Sequence, residues 1–122
     1  MSYDTAQRLS DCKHWRWLNG MRPMRRSGVI WELMPVVDRE DQANRERDLT
    51  GCIPCMTDPA TVGAVLGLVA EVYRDIDAMV SLSDLGSWRC SVMQFRAGRF
   101  SRRTFDAQTR SGALLLALEA AP

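Results

Sequence analysis

Lysine and histidine each occur once in this chain, at Lys13 and His14, against fifteen arginines. The arginine excess reads as a GC-rich coding bias and not as a clue to mechanism. With one histidine and no G-x-S-x-G elbow, a Ser-His-Asp hydrolase would rest entirely on His14. A packing or surface histidine is the simpler reading. Neither G-x-x-x-x-G-K-S/T nor G-x-G-x-x-G occurs, so nucleotide hydrolysis and dinucleotide binding have no motif to stand on. A run of about 18 apolar residues is also missing, which excludes a transmembrane helix as an expectation. The N-terminus lacks the basic-then-apolar layout of a secretion signal. Cys12, Cys52, Cys55 and Cys90 are therefore expected as reduced thiols in a host-cell cytosol.

What is present fits one domain spanning residues 1–122, with hydrophobic residues at 46% and charged ones at 25%. The net charge of +1 conceals a strong pattern. A basic segment, 1–26, carries +4; residues 27–84 carry −7; residues 85–110 carry +5. The chain is thus electrically polarised.

The organising element is predicted at 57–74. Asp58 can accept from the free amides of a first helical turn, and Pro59 suits the first helical position. No charge occurs from Ala60 to Ala70. A helix of that kind is expected to be enclosed from more than one side, Leu66 and Val69 included. Gly63 and Gly67 would let another element approach closely.

Around it, 3–17 is expected as a short helix with Leu9, Cys12 and Trp15 on one side, followed by an Asn19-Gly20 turn. Residues 28–37 read as a strand, interrupted by Pro35. Residues 38–56 are expected as an acidic, cysteine-containing loop. Strands follow at 77–82, 88–95 and 99–105, the last two joined by Ala97-Gly98 and with Phe100 and Phe105 facing inward. Asp106 can cap a last helix, whose Ala113, Leu114, Leu116, Ala117 and Leu118 pack inward. The sum is an α+β fold in which an antiparallel sheet of about four strands packs against the central helix and a C-terminal helix.

Three pieces, Trp15-Arg16-Trp17-Leu18-Asn19-Gly20-Met21, Thr57-Asp58-Pro59-Ala60-Thr61-Val62-Gly63 and the terminal Ala113 to Pro122, carry a resemblance. In order and spacing the chain resembles a group of small proteins encoded by bacteriophages and prophages. The resemblance implies an accessory role, as in inhibitors of a host defence complex such as a CRISPR effector, without supplying a site. The chain departs from that pattern at Cys52-Ile53-Pro54-Cys55 and at the charged stretch 38–48.

Candidate chemistry is sparse. Cys52 and Cys55 have dithiol spacing, yet the helix begins beyond them and an acidic cap beside a thiol raises its pKa. Cys12, His14, Cys52 and Cys55 form a conceivable Cys₃His zinc set, with Cys90 as substitute. Small semi-buried thiols with no cofactor are the plainer reading. Glu40, Asp41, Glu46 and Asp48 read as a solvated face or as a surface for a basic partner. Arg96, Arg99, Arg102 and Arg103, interleaved with aromatics, read as a solvated hairpin, a protein-binding edge, or a nucleic-acid surface. Of Trp15 and Trp17, alternation leaves at most one free, with Trp17 as the candidate. Function is expected to be binding to a host or phage protein, with no enzymatic activity and no membrane partner; nucleic-acid binding is the alternative.

Overall fold

Asp58 begins the central helix as its residue type dictates. In the computed structural model, which describes residues 3–25, 27–30 and 38–122, α3 spans Pro59–Tyr73 with Asp58 as N-cap. The Asp58 carboxylate accepts from the Thr61 amide (2.9 Å) and the Thr61 hydroxyl (2.8 Å). The Thr61 hydroxyl oxygen in turn accepts from the Arg22 amide at 2.8 Å, tying the N-terminal segment to the helix. Arg22 Nε lies 3.8 Å from the same carboxylate.

These contacts hold the Asp58 carboxyl below its ordinary value. The Thr61 hydroxyl bond leads, partial burial opposes it, and the Thr61 amide and Arg22 add to it. A value lower in the folded state than in the unfolded one stabilises the fold above about pH 4 and ceases to do so as pH falls through the folded value. Asp58→Ala is expected to cost about 0.5–2 kcal/mol at neutral pH. Urea denaturation at stepped pH should show Asp58→Asn with a shallower loss of stability on acidification than the parent.

Val65, Leu68 and Val69 are fully buried, and Tyr73 donates to the Ala117 carbonyl at 2.6 Å, which locks α3 to the last helix. Burial pushes the Tyr73 phenol up. The enclosure is one-sided, however. Pro59, Ala60, Gly63, Gly67 and Glu71 are exposed, Leu66 is only half-buried, and no described residue lies within 4 Å of where a Cβ on Gly63 or Gly67 would sit. The uncharged run thus has an open face made of small residues.

The remaining elements, in chain order, are α1 (Tyr3–Asp11), β1 (Pro23–Met24), α2 (Arg39–Asp48), β2 (Ile53–Pro54), β3 (Met79–Leu82), β4 (Trp88–Arg96), β5 (Arg99–Ala107) and α4 (Arg110–Glu119). The class is α+β. Among the described residues the strands form two antiparallel sheets, β1-β2 and β3-β4-β5, in place of a single sheet of about four. Most of the expected strand 28–37 lies outside the described residues; within them, Ile30 makes one antiparallel bridge to Met24. β1 and β2 pair Pro23 with Pro54 and Met24 with Ile53.

Residues 38–56 are not a loop. Asp38 caps α2 by accepting from the Asp41 amide at 2.8 Å, and β2 follows. With little apolar surface, α2 docks through polar atoms. Glu46 accepts from the Trp17 amide (2.8 Å), Gln42 donates to the Trp17 carbonyl (3.0 Å), and Arg45 donates to Asn19 Oδ1 (2.7 Å).

The last helix is capped by Thr109, which accepts from the Gly112 amide at 3.0 Å; Asp106 lies within β5 and does not cap. α4 packs across β3, β4 and β5. Its inward leucines are Leu114, Leu115 and Leu118, whereas Leu116 is exposed.

Candidate binding hairpin

The β4–β5 register places Trp88 opposite Ala107, Cys90 opposite Phe105 and Val92 opposite Arg103. Directly paired residues share a face, and this one, with Cys90 and Val92 fully buried, is the face beneath α4. The other face pairs Arg89 with Asp106, Met93 with Arg102 and Phe95 with Phe100. Arg89 and Asp106 form an ion pair at 2.7 Å, and Arg102 donates to Ser91 Oγ at 2.8 Å. Phe100 and Phe105 are five residues apart, so strand alternation sends them to opposite faces. Phe105 is half-buried against the core, and Phe100 is not inward.

The hairpin closes on Ala97 (φ 52°) and Gly98 (φ 76°), the paired positive values of a two-residue turn whose twist suits the strands. Ala97 has no glycine freedom, and the left-handed conformation costs about 1 kcal/mol there. Arg96 and Arg99 stand opposite each other beside the turn, a like-charge pairing that disfavours the isolated hairpin. Phe95 and Phe100 are 62% and 73% exposed, with ring centroids 4.9 Å apart. Arg96 and Arg99 are exposed and enter no ion pair among the described residues. Arg103 lies over the Phe105 ring at 5.0 Å and is only half-exposed, so it belongs less to the free surface than Arg96, Arg99 and Arg102.

A cleft of about 550 Å³ runs between this hairpin and the end of α3, with Tyr73, Arg74, Met93, Phe95 and Phe100 in its walls. Asp75 fixes its edge, accepting from the Met93 amide at 2.8 Å and the Asp77 amide at 3.0 Å. The sequence carried no sign of this cleft, because it joins a helix end to a strand twenty residues away.

The acidic candidates divide. Glu40, Asp41 and Asp48 are exposed, whereas Glu46 is half-buried and spent on the Trp17 amide. Trp17 itself is 3% exposed, edge-on to Trp15 at a centroid distance of 5.3 Å, and is part of the core instead of a partner surface. Basic residues of the N-terminal segment also neutralise acids of the middle, through Arg16–Glu71 and Arg22–Asp58. The charge contrast in sequence is therefore partly cancelled in space.

The zinc set does not assemble. Cys12 Sγ donates to the Leu118 carbonyl at 3.6 Å and His14 Nε2 lies 3.2 Å from the Ala121 oxygen. Cys52 and Cys55 are buried on either side of β2, with Cys55 Sγ 3.3 Å from the Thr57 hydroxyl. Among the described residues no three His, Cys, Asp or Glu side chains converge on a metal position. Burial pushes the Cys90 thiol up to about 11, which leaves it protonated and unreactive at neutral pH. No helix among the described residues is long and apolar enough to cross a membrane. No protein-family model, no curated protein and no solved structure matches the chain.

Proposed function

We propose that this protein acts by binding and not by catalysis, docking the end of the β4–β5 hairpin onto an acidic protein surface. The observation that carries the reading is the solvent-exposed Phe95–Phe100 pair on the sheet face that also carries Arg102, next to the turn where the exposed Arg96 and Arg99 stand on the opposite face. Large rings left in water beside unpaired arginines are the composition of an interface centre, where aromatic and arginine side chains supply most of the affinity. The neighbouring cleft gives the partner a place to seat an apolar side chain. The exposed acids Glu40, Asp41 and Asp48 form a second, oppositely charged face. The resemblance to phage-encoded accessory proteins gives the setting: occlusion of a surface on a host complex, such as a CRISPR-type effector.

A second reading, direct nucleic-acid binding, is favoured by the same outward rings beside arginines. One set of variants separates the two. Phe100→Ala is expected to weaken a purified protein complex about thirtyfold, equivalent to about 2 kcal/mol, with an unchanged melting temperature. The partner would first be captured from host lysate by the parent protein and lost from the Phe100→Ala and Arg99→Glu columns. Undiminished affinity in both variants overturns the hairpin as the docking edge. A gel shift that falls steeply with salt and loses slope in Arg99→Ala, Arg102→Ala and Arg103→Ala would favour nucleic acid instead.

A further inference from the structure

We infer that the cleft beside the β4–β5 hairpin is a strand-addition site for an extended partner segment in which an apolar residue neighbours an acidic one. The inference rests on the docking role proposed for the hairpin and names the kind of segment that would dock.

A bare strand edge follows from the way α3 ends. Arg74 (φ 54°) closes the helix in the left-handed region, and the Asp75 amide returns to the Ala70 carbonyl at 2.9 Å. That closure fixes Asp75, whose carboxylate accepts from the Met93 amide at 2.8 Å. A carboxylate thus stands where an earlier residue of β3 would have paired. β3 begins only at Met79, opposite Ser91, while β4 runs on to Arg96. Because the Met93 amide points away from β5, strand alternation turns the N–H and C=O of Phe95 to the same side. The Phe95 amide and the carbonyls of Met93 and Phe95 have no hydrogen-bond partner there among the described residues. Unpaired main-chain groups in a row are a template for another strand.

The cleft of about 550 Å³ runs alongside this edge, and its side chains set the sequence of the added segment. A residue directly opposite Phe95 shares its face, where Met93, Phe95 and Phe100 offer apolar surface. Its neighbour in the segment stands opposite Arg96, on the other face. Arg96 and the cleft residue Arg74 are exposed and enter no ion pair among the described residues. Asp75, the carboxylate in the cleft wall, is already engaged by the Met93 and Asp77 amides. An acid opposite Arg96 is therefore matched, and a lysine there is opposed.

The test is an amide-resolved NMR titration of the whole protein with a short capped peptide that alternates valine and glutamate. The expected result is a saturable shift of the Phe95 and Arg96 amide resonances. The same peptide N-methylated at every residue cannot donate to the edge and should bind about tenfold more weakly. Lysine in place of its glutamates should weaken binding about threefold. Phe95→Pro should bind about tenfold more weakly than Phe95→Ala, since it removes an N–H that the β5 ladder does not use. If Phe95→Pro perturbs the whole spectrum, the methylated and unmethylated peptides decide. No saturable shift overturns the site, as does equal affinity for those two peptides. Equal affinity for the lysine peptide overturns the acidic half of the pattern. None of these failures touches the docking role of the hairpin, which stands or falls on Phe100→Ala and Arg99→Glu against the captured partner.

Discussion

Leu68→Ala is expected to lower unfolding free energy by about 2–5 kcal/mol, while Leu66→Ala two positions earlier should cost only about 1 kcal/mol. Both leucines sit on α3 in an uncharged run, and hydropathy does not distinguish them. Leu68 is buried with Val65 and Val69 in the core shared with α4. Removing three of its carbons there leaves a void in the core where α3 packs against α4, so relaxation is limited. Leu66 is half-buried, and water already reaches part of it. Equilibrium urea denaturation of the two variants, with equal m-values, reads the difference directly. Equal losses would mean that α3 is enclosed all round, and a small loss for Leu68 would remove it from the core.

That contrast shows where sequence reasoning stops. Local chemistry was legible. Asp58-Pro59 announced the start of α3, and Ala97-Gly98 announced the hairpin, because a cap and a turn are decided by residues within a few positions. The alternation of Trp88, Cys90 and Val92 against Arg89, Ser91 and Met93 is visible along β4, but only the fold shows that the first set faces the core. The same rule, applied across β5, forbids Phe100 and Phe105 from sharing a face, so the expectation of both rings inward could not hold, and Phe100 is the one left in solvent. Other features depend on partners far along the chain. β1 and β2 are two residues each, and Pro23 finds Pro54 only because the surrounding loops are folded. The open face of α3 was hidden because glycine and alanine look alike to hydropathy whether covered or bare. Thr109 displaced Asp106 as the cap of α4 since β5 runs two residues further than expected and keeps Asp106 opposite Arg89.

The least legible element was α2, and it sets the second large expectation. Glu46→Lys should destabilise the protein by about 2–3 kcal/mol, because it removes a charged acceptor from the Trp17 amide and places a cation beside Arg45. Burial already pulls the Arg45 guanidinium down, and Glu46 is the charge that opposes this. Trp17 is held from both sides of its peptide, by Glu46 on the N–H and Gln42 on the C=O, and Gln42 also donates to Glu46 at 2.7 Å. Losing Glu46 therefore loosens three groups at once, and the buried Trp17 ring with them. Glu40→Lys and Asp41→Lys lie in the first turn, where a cation costs up to about 1 kcal/mol against the helix dipole. Asp48→Lys, in the last turn, should be neutral or slightly favourable. Thermal denaturation of the four single variants should rank Glu46→Lys far below the others. A melting temperature for Glu46→Lys within the range of the other three would dissolve the polar docking of α2. If the ranking holds, weakened binding of the Glu40, Asp41 and Asp48 triple reversal to a basic partner reports on the surface, whereas the same loss in Glu46→Lys reports on folding.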